Sequence, residues 1–314
     1  MLGPQRSLFS LEDISDQELK PFFQKVEKIK HALSASGEGL SPYLKKLNSR
    51  PVVALFFLEP STRTRLSFEI AGKRLGVDTV LFDNLRSSSI TKGESATDTF
   101  FTFKAMKPDL FVVRHPEDSE LAEALRSSDI PVVNGGQGAI GHPTQALLDC
   151  YTATEKLGSL EGKKVLFVGD IKFGRAALSS MELFSRLGAS IGCLSPEGMG
   201  YDGALNVQNF SDIGEASAWA DVVMGLRIQK ERHNENINFS AGDYIRRFRL
   251  DSNNLSELKS DAIIMHPGPF VPEVDFSSSL LKDKRCVVHE QVENGVYVRI
   301  LLLGQILDLW TEDF

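Results

Sequence analysis

The strongest constraint on the fold is a series of short apolar runs in which aliphatic and β-branched residues follow one another without polar alternation. In the first half these are Val52-Val53-Ala54-Leu55-Phe56-Phe57, Thr79-Val80-Leu81-Phe82, Leu110-Phe111-Val112-Val113 and Pro131-Val132-Val133. In the second half they are Lys164-Val165-Leu166-Phe167-Val168, Ser190-Ile191-Gly192-Cys193-Leu194, Asp221-Val222-Val223-Met224 and Ala262-Ile263-Ile264-Met265. A strand with no polar face has to be covered on both sides, which is the situation of a parallel sheet between helices. Amphipathic stretches of helical length, such as Thr62 to Leu75 and Ser95 to Met106, stand between the runs and can supply both the cover and the crossovers. The expected fold is therefore α/β: two doubly wound domains with parallel sheets, linked by N- and C-terminal helices. A length of 314 residues suits that number of domains.

The segment Asn134 to Gly141 is glycine-rich and reads as a loop, with a helix beginning near His142. This predicts a first domain over residues 1–141 and a second over 142–292. Residues 293–314 would then form a C-terminal helix returning to the first domain. The apolar stretch Asn294 to Trp310 would pack on an N-terminal helix whose stripe is Phe22, Val26, Ile29 and Leu33. Two starts suit that first helix. Ser15 and Glu18 form a capping box with Ile14 and Leu19 as a staple, whereas Pro21 could serve as a first-turn residue.

Charge and composition exclude several classes of function. The net charge is −7 with no long Lys/Arg run, so the electrostatic footprint of nucleic-acid binding is missing. No apolar run approaches the ~20 residues that cross a bilayer. Met1 to Phe9 has no apolar signal-peptide core, which places the chain in the cytoplasm. The three cysteines, Cys150, Cys193 and Cys286, lie far apart without C-x-x-C spacing. They read as core thiols and not as a metal site or a disulfide framework. In an acidic chain, an anionic ligand has to meet a local cluster of cations.

Such a cluster is Ser61-Thr62-Arg63-Thr64-Arg65, which follows a strand and Glu59-Pro60 and opens a helix. Free N–H groups and the positive end of the macrodipole at a helix start attract anions, and hydroxyls and guanidinium groups add the donors that phosphate takes up. Capping alone needs one hydroxyl, not two threonines and two arginines behind it. A second glycine-containing turn, Gly169-Asp170-Ile171-Lys172-Phe173-Gly174, has neither dinucleotide-loop nor P-loop spacing.

Ser61 to Arg65 resembles the carbamoyl phosphate signature of the aspartate and ornithine carbamoyltransferases. Two further motifs resemble the aspartate branch. His142-Pro143-Thr144-Gln145 has Thr144 where ornithine enzymes usually carry Cys, and His266-Pro267-Gly268-Pro269 stands where they have His-Cys-Leu-Pro. Lys92-Gly93-Glu94-Ser95, Arg114-His115-Pro116, Gly169 to Arg175 and Arg227 to Arg232 appear in the family's order, so the resemblance spans nearly the whole chain.

The resemblance implies transfer of the carbamoyl group of carbamoyl phosphate to the amino group of L-aspartate, a step of pyrimidine biosynthesis, with no metal and no organic cofactor. Ser61, Thr62, Arg63, Thr64 and Arg114 would bind the phosphate, with Arg114 also reaching the carbonyl oxygen. His142 would donate to that oxygen. Gln145 and the carbonyls of Pro267 and Gly268 would accept from the carbamoyl NH₂. Arg175, Arg227 and Gln229 would clamp the two carboxylates of aspartate, and Glu59 would pair with one of these arginines. Ser88 and Lys92 would reach a neighbouring subunit's site, which makes a homotrimer with shared active sites the smallest assembly. Regulatory chains or dihydroorotase are further partners that the family admits.

Two positions depart from the family pattern. Gln137 stands where Asp is common, and Phe270-Val271-Pro272 replaces an arginine-bearing turn. Two other readings stand beside this one: a carbamoyltransferase with a different amine acceptor, and a non-catalytic homologue retained as a structural partner of dihydroorotase or of a regulatory chain.

Overall fold

A computed structural model describes residues 3–34, 37–83, 92–138, 141–229, 240–312 and 314. The chain forms two compact units, Met1–Thr144 with Asn294–Phe314, and Gln145–Glu293. The divisions fall within two helices, α5 (Pro143–Leu157) and α9 (Val288–Ile306).

In the first unit, strands β1 (Val52–Phe57), β2 (Asp78–Phe82), β3 (Leu110–His115) and β4 (Val132–Gln137) form a parallel sheet in the order β2-β1-β3-β4. Helices α1 (Asp16–Ala32), α2 (Thr62–Leu75), α3 (Ala96–Ala105) and α4 (Ser119–Arg126) accompany it. Phe56, Phe100 and Phe111 are fully buried in one cluster with Leu121, Leu125 and Val132. The Phe100 and Phe111 rings lie 5.1 Å apart at a tilt. At helix α1 the Ser15 start prevails, because the Glu18 carboxylate accepts from both the backbone N–H and the hydroxyl of Ser15, at 2.9 and 2.8 Å. Pro21 lies inside the helix.

The second unit holds β5 (Lys164–Val168), β6 (Ser190–Leu194), β7 (Val207–Asn209), β8 (Val222–Gly225) and β9 (Ile263–Met265). They are parallel in the order β7-β6-β5-β8-β9, with α6 (Arg175–Arg186), α7 (Ile213–Trp219) and α8 (Ala241–Phe248) between them. The fold is thus α/β with two parallel sheets, as the unbroken apolar runs require.

Three local features differ from the sequence-based expectation. Asn134 to Gln137, read as part of a loop, belongs to β4 and is buried. The N-terminal segment completes the ladder there: Leu8 N–H donates to the Val132 carbonyl and Asn134 N–H to the Leu8 carbonyl, each at 2.8 Å. The Asn134 amide nitrogen also donates to the Phe9 carbonyl at 2.7 Å. Strand β7 was not foreseen, since Val-Gln-Asn at a sheet edge carries no apolar run. Helix α9 starts at Val288, before the Asn294 that the apolar pattern suggested.

Cys150 and Cys193 are buried and Cys286 is partly covered. Burial pushes the Cys193 thiol up to about 12 and raises the other two as well, with the Asp149 charge adding to the effect at Cys150. The thiolate is the reactive form, so these groups are poor nucleophiles at neutral pH. In the folded protein Cys150 and Cys193 should resist an aromatic disulfide reagent over minutes, whereas all three cysteines should react in denaturant; rapid labelling of either residue, located by peptide mapping, would contradict this packing.

Candidate active site

Chain order in the two sheets decides where ligands can be received. In the first sheet the chain leaves β1 toward β2 and returns on its other side as β3, so the order reverses between β1 and β3. In the second it leaves β5 toward β6 and β7 and returns as β8. Loops diverge beyond the carboxyl ends of the strands at such switch points and leave room for a ligand.

At the first switch point β1 runs through Leu58-Glu59-Pro60 into α2. Ser61 is the residue before the first helical turn, with extended backbone angles, and its side chain makes no capping bond to that turn. Thr62, Arg63 and Thr64 form the first turn, in which N–H groups lack intrahelical partners by construction. Thr62 and Arg63 are exposed and Thr64 is buried. Arg114 stands at the end of β3 in register with Phe57 of β1. Its guanidinium donates to the Gly135 carbonyl at 3.3 Å and lies 3.5 Å from the Glu59 carboxylate. These contacts hold the cation at the end of β3.

His142 immediately precedes α5 and is buried. Its Nε2 lies 3.3 Å from the Thr64 hydroxyl, joining the two motifs within the first unit. Thr144 is fully buried, and its hydroxyl accepts from the Arg299 guanidinium at 3.2 Å. Arg299, on α9, also donates to the Gly295 carbonyl at 3.1 Å and stacks over Phe68 of α2 at 5.0 Å. The start of α5 is therefore tied to α2 by two routes, through His142 and through Arg299. Sequence reasoning missed Arg299, since a lone arginine in an apolar helix gives no sign of its partner.

In the second unit, Gly169 and Asp170 follow β5, and Arg175 is the first residue of α6 and buried. Leu226 to Gln229 follow β8. Fully buried Asp170 links these two loops, accepting from the Gln229 N–H at 2.8 Å and the Phe173 N–H at 3.4 Å. Half-buried Arg227 donates to the Ile228 carbonyl at 2.9 Å. The switch point thus carries Arg175 on one side and Arg227 with Gln229 on the other.

After β9 comes the third loop. His266 is buried, and its Nδ1 accepts from the Gly268 N–H at 2.9 Å. The ring proton therefore sits on Nε2, which donates to Asp275 at 3.2 Å. The other Asp275 oxygen accepts from the Val271 N–H at 2.6 Å. Phe270 packs on Phe276 with ring centroids 4.9 Å apart, and on His266 at 5.7 Å. The Phe270-Val271-Pro272 departure is thus accommodated by apolar packing in the Pro267-Gly268 loop.

Gln137 is buried at the end of β4, where its backbone exchanges two 3.2 Å bonds with Gly141 just ahead of His142. Lys92 is exposed. Ser88 and the stretch from Lys230 to Arg232 lie outside the described residues. Among the described residues, no cluster of three or more His, Cys, Asp or Glu side chains could hold a metal ion, and no helix is long and apolar enough to cross a membrane.

The fold and these groups define a two-unit α/β protein with arginines at the topological switch point of each sheet. Residues 6–155 match the carbamoyl-P binding domain of aspartate/ornithine carbamoyltransferases, and residues 161–305 match the Asp/Orn binding domain. The chain belongs to the aspartate/ornithine carbamoyltransferase family. It is 36% identical over 302 residues to the aspartate carbamoyltransferase catalytic subunit of Listeria welshimeri, covering 96% of each chain. It is 40% identical over 304 residues to that of Opitutus terrae, covering 95% of this chain and 94% of the other. Among solved structures it resembles Trypanosoma cruzi aspartate transcarbamoylase in complex with carbamoyl aspartate and phosphate, with a TM-score of 0.85, 28% identity and coverage of 97% and 96%.

Gly169 carries a testable backbone constraint. Its φ is +118°, and a Cβ there would lie 2.5 Å from the Leu226 carbonyl oxygen and 2.8 Å from the Tyr244 hydroxyl. Gly169→Ala should lower unfolding free energy by ~1–3 kcal/mol, the cost of a strained residue, as read by urea denaturation. Unchanged stability would show that the β5 and β8 loops are not held this closely.

Proposed function

We propose that the protein transfers the carbamoyl group of carbamoyl phosphate to the amino group of L-aspartate, giving N-carbamoyl-L-aspartate and phosphate. The observation that carries this reading is the first switch point, where the start of α2, Arg114 and the Thr64–His142 pair lie together in one unit. The Trypanosoma cruzi relative, solved with carbamoyl aspartate and phosphate, supports the same chemistry.

Ser61, Thr62, Arg63, Thr64 and Arg114 take the phosphate, matching its charge with guanidinium groups and its oxygens with hydroxyl and N–H donors. Arg114 and His142 donate to the carbonyl oxygen, and Thr64 stands beside His142 to share that work. As the amine attacks, the carbonyl π electrons move onto this oxygen, so donors already in place stabilise charge that exists only on the way to product. The tetrahedral adduct collapses with cleavage of the C–O bond to phosphate. The phosphate leaves with its counter-charges around it and accepts the amine proton. Gln145, with the Pro267 and Gly268 carbonyls, accepts from the carbamoyl NH₂. Arg175, Arg227 and Gln229 hold the aspartate carboxylates. Their distribution over the ends of β5 and β8 suits a dicarboxylate better than a ligand with one anionic group. The chemistry assigns no step to a metal or organic cofactor.

Phosphate release from carbamoyl phosphate should depend on L-aspartate, with ornithine a poor substitute. Arg63→Ala should abolish saturation by carbamoyl phosphate, and His142→Ala should lower kcat by roughly 10²–10³, as for loss of one oxyanion donor. Release independent of aspartate and equal in the wild type and Arg63→Ala would overturn the assignment.

We further propose a homotrimer with shared sites, acting in the cytoplasm, in which Ser88 and Lys92 serve a neighbouring subunit. Leu66 and Ile70 on α2, with Val80 and Leu81 on β2, leave large apolar side chains exposed on the first unit, which supports burial against another copy. Mixing the impaired Lys92→Ala and His142→Ala subunits should raise activity above that of either alone, because some sites then combine intact contributions. No recovery under proven subunit exchange would count against shared sites.

A further inference from the structure

Asp149, one turn beyond Gln145 on α5, is buried and accepts from Gln145, Gln291 and Ser180 within the second unit. Its Oδ1 accepts from Gln145 Nε2 at 2.8 Å and from Gln291 Nε2 at 2.6 Å, and its Oδ2 accepts from the Ser180 hydroxyl at 2.7 Å. A carboxylate can only accept, so both glutamine amides have to turn their nitrogens toward it. Planarity then directs each amide oxygen elsewhere. The Gln291 oxygen accepts from the His266 backbone N–H at 2.9 Å, at the head of the Pro267-Gly268 segment. The Gln145 oxygen is left facing away from Asp149.

We infer that Asp149 is a positioning residue that sets the acceptor face for the carbamoyl NH₂, and thereby selects carbamoyl phosphate over acyl phosphates with a methyl group in that place. It acts on Gln145 directly and on the Pro267-Gly268 backbone through Gln291. The inference rests on the reading of Gln145 given above. If the Gln145 amide flipped, it would present NH₂ to NH₂, and the site would lose its preference between an amide and a methyl group. A site built to pair with a polar group discriminates strongly against an isostere that lacks it.

The test compares the KM for carbamoyl phosphate with the Ki of acetyl phosphate, its methyl counterpart, in the intact protein. Asp149→Asn keeps an oxygen for the two glutamines and turns its NH₂ toward the Ser180 hydroxyl, so the preference for carbamoyl phosphate should stay within about threefold of wild type. Asp149→Leu removes the acceptor and should reduce that preference at least tenfold, with the Ki of acetyl phosphate nearly unchanged. A loss of packing alone would weaken both ligands by the same factor; that result, or an unaltered preference, overturns the inference. If Asp149→Leu does not fold, Asp149→Ser, whose hydroxyl falls short of Gln145, is judged by the same two outcomes. Gln145→Met separates the two layers of the argument. A preference retained in Gln145→Met refutes the role of Gln145 itself, whereas a preference lost there but kept in Asp149→Leu refutes the role of Asp149 alone.

Discussion

The site depends on a constraint of parallel sheets: a chain that starts in the middle and winds to both sides has to part its loops where the order reverses. In the first unit that point lies between β1 and β3, and it brings the start of α2 next to Arg114 without any long-range side-chain contact being needed. In the second it lies between β5 and β8 and carries Arg175, Arg227 and Gln229. Backbone topology supplies the positions, and side chains then adjust the details within a few ångströms.

Buried polar groups make these adjustments, each acting within one unit. Arg299 holds the Thr144 hydroxyl, Asp170 holds the Gln229 backbone, and Asp275 holds both His266 and the Val271 backbone. Removing one member of such a network leaves its partners desolvated and unpaired, typically at a cost of about 1–3 kcal/mol per group. The Asp170 and Asp275 networks hold loops that lack regular secondary structure, and the Arg299 bond holds the start of α5. The same arrangement explains how Phe270-Val271-Pro272 is tolerated: Phe270 fills apolar space beside Phe276 while Asp275 keeps the loop's polar anchors.

Much of the architecture was legible in the sequence because apolar runs without alternation have few alternative uses. Helix α2, from Thr62 to Leu75, and strand β5, from Lys164 to Val168, have the limits that their patterns suggest. The Ser61 to Arg65 cluster was legible for a similar reason, since hydroxyls and arginines after a strand exceed what capping needs. Strand β4 extends beyond Val133, where its glycines signal a turn locally, because the pairing that overrides them comes from β3, which sets Asn134 and Gln137 in register with Val113 and His115, while Leu8 adds bonds on the other side. The distant partner of Asp149 could not be read: Gln145 lies one helical turn away, but Gln291 lies 142 residues on, and no periodicity links an aspartate in one helix to a glutamine in another.

The pairing of Leu8 with β4 has a consequence for the fate of the newly made chain. Parallel sheets assemble slowly because their contacts are distant in sequence, and an open edge strand can recruit another chain in the meantime. Leu8 binds the outer side of Val132 to Asn134 and occupies backbone groups that such a chain would use. Leu8 thus closes part of an edge that would otherwise be open to another strand, and does so from a position that carries none of the chemistry.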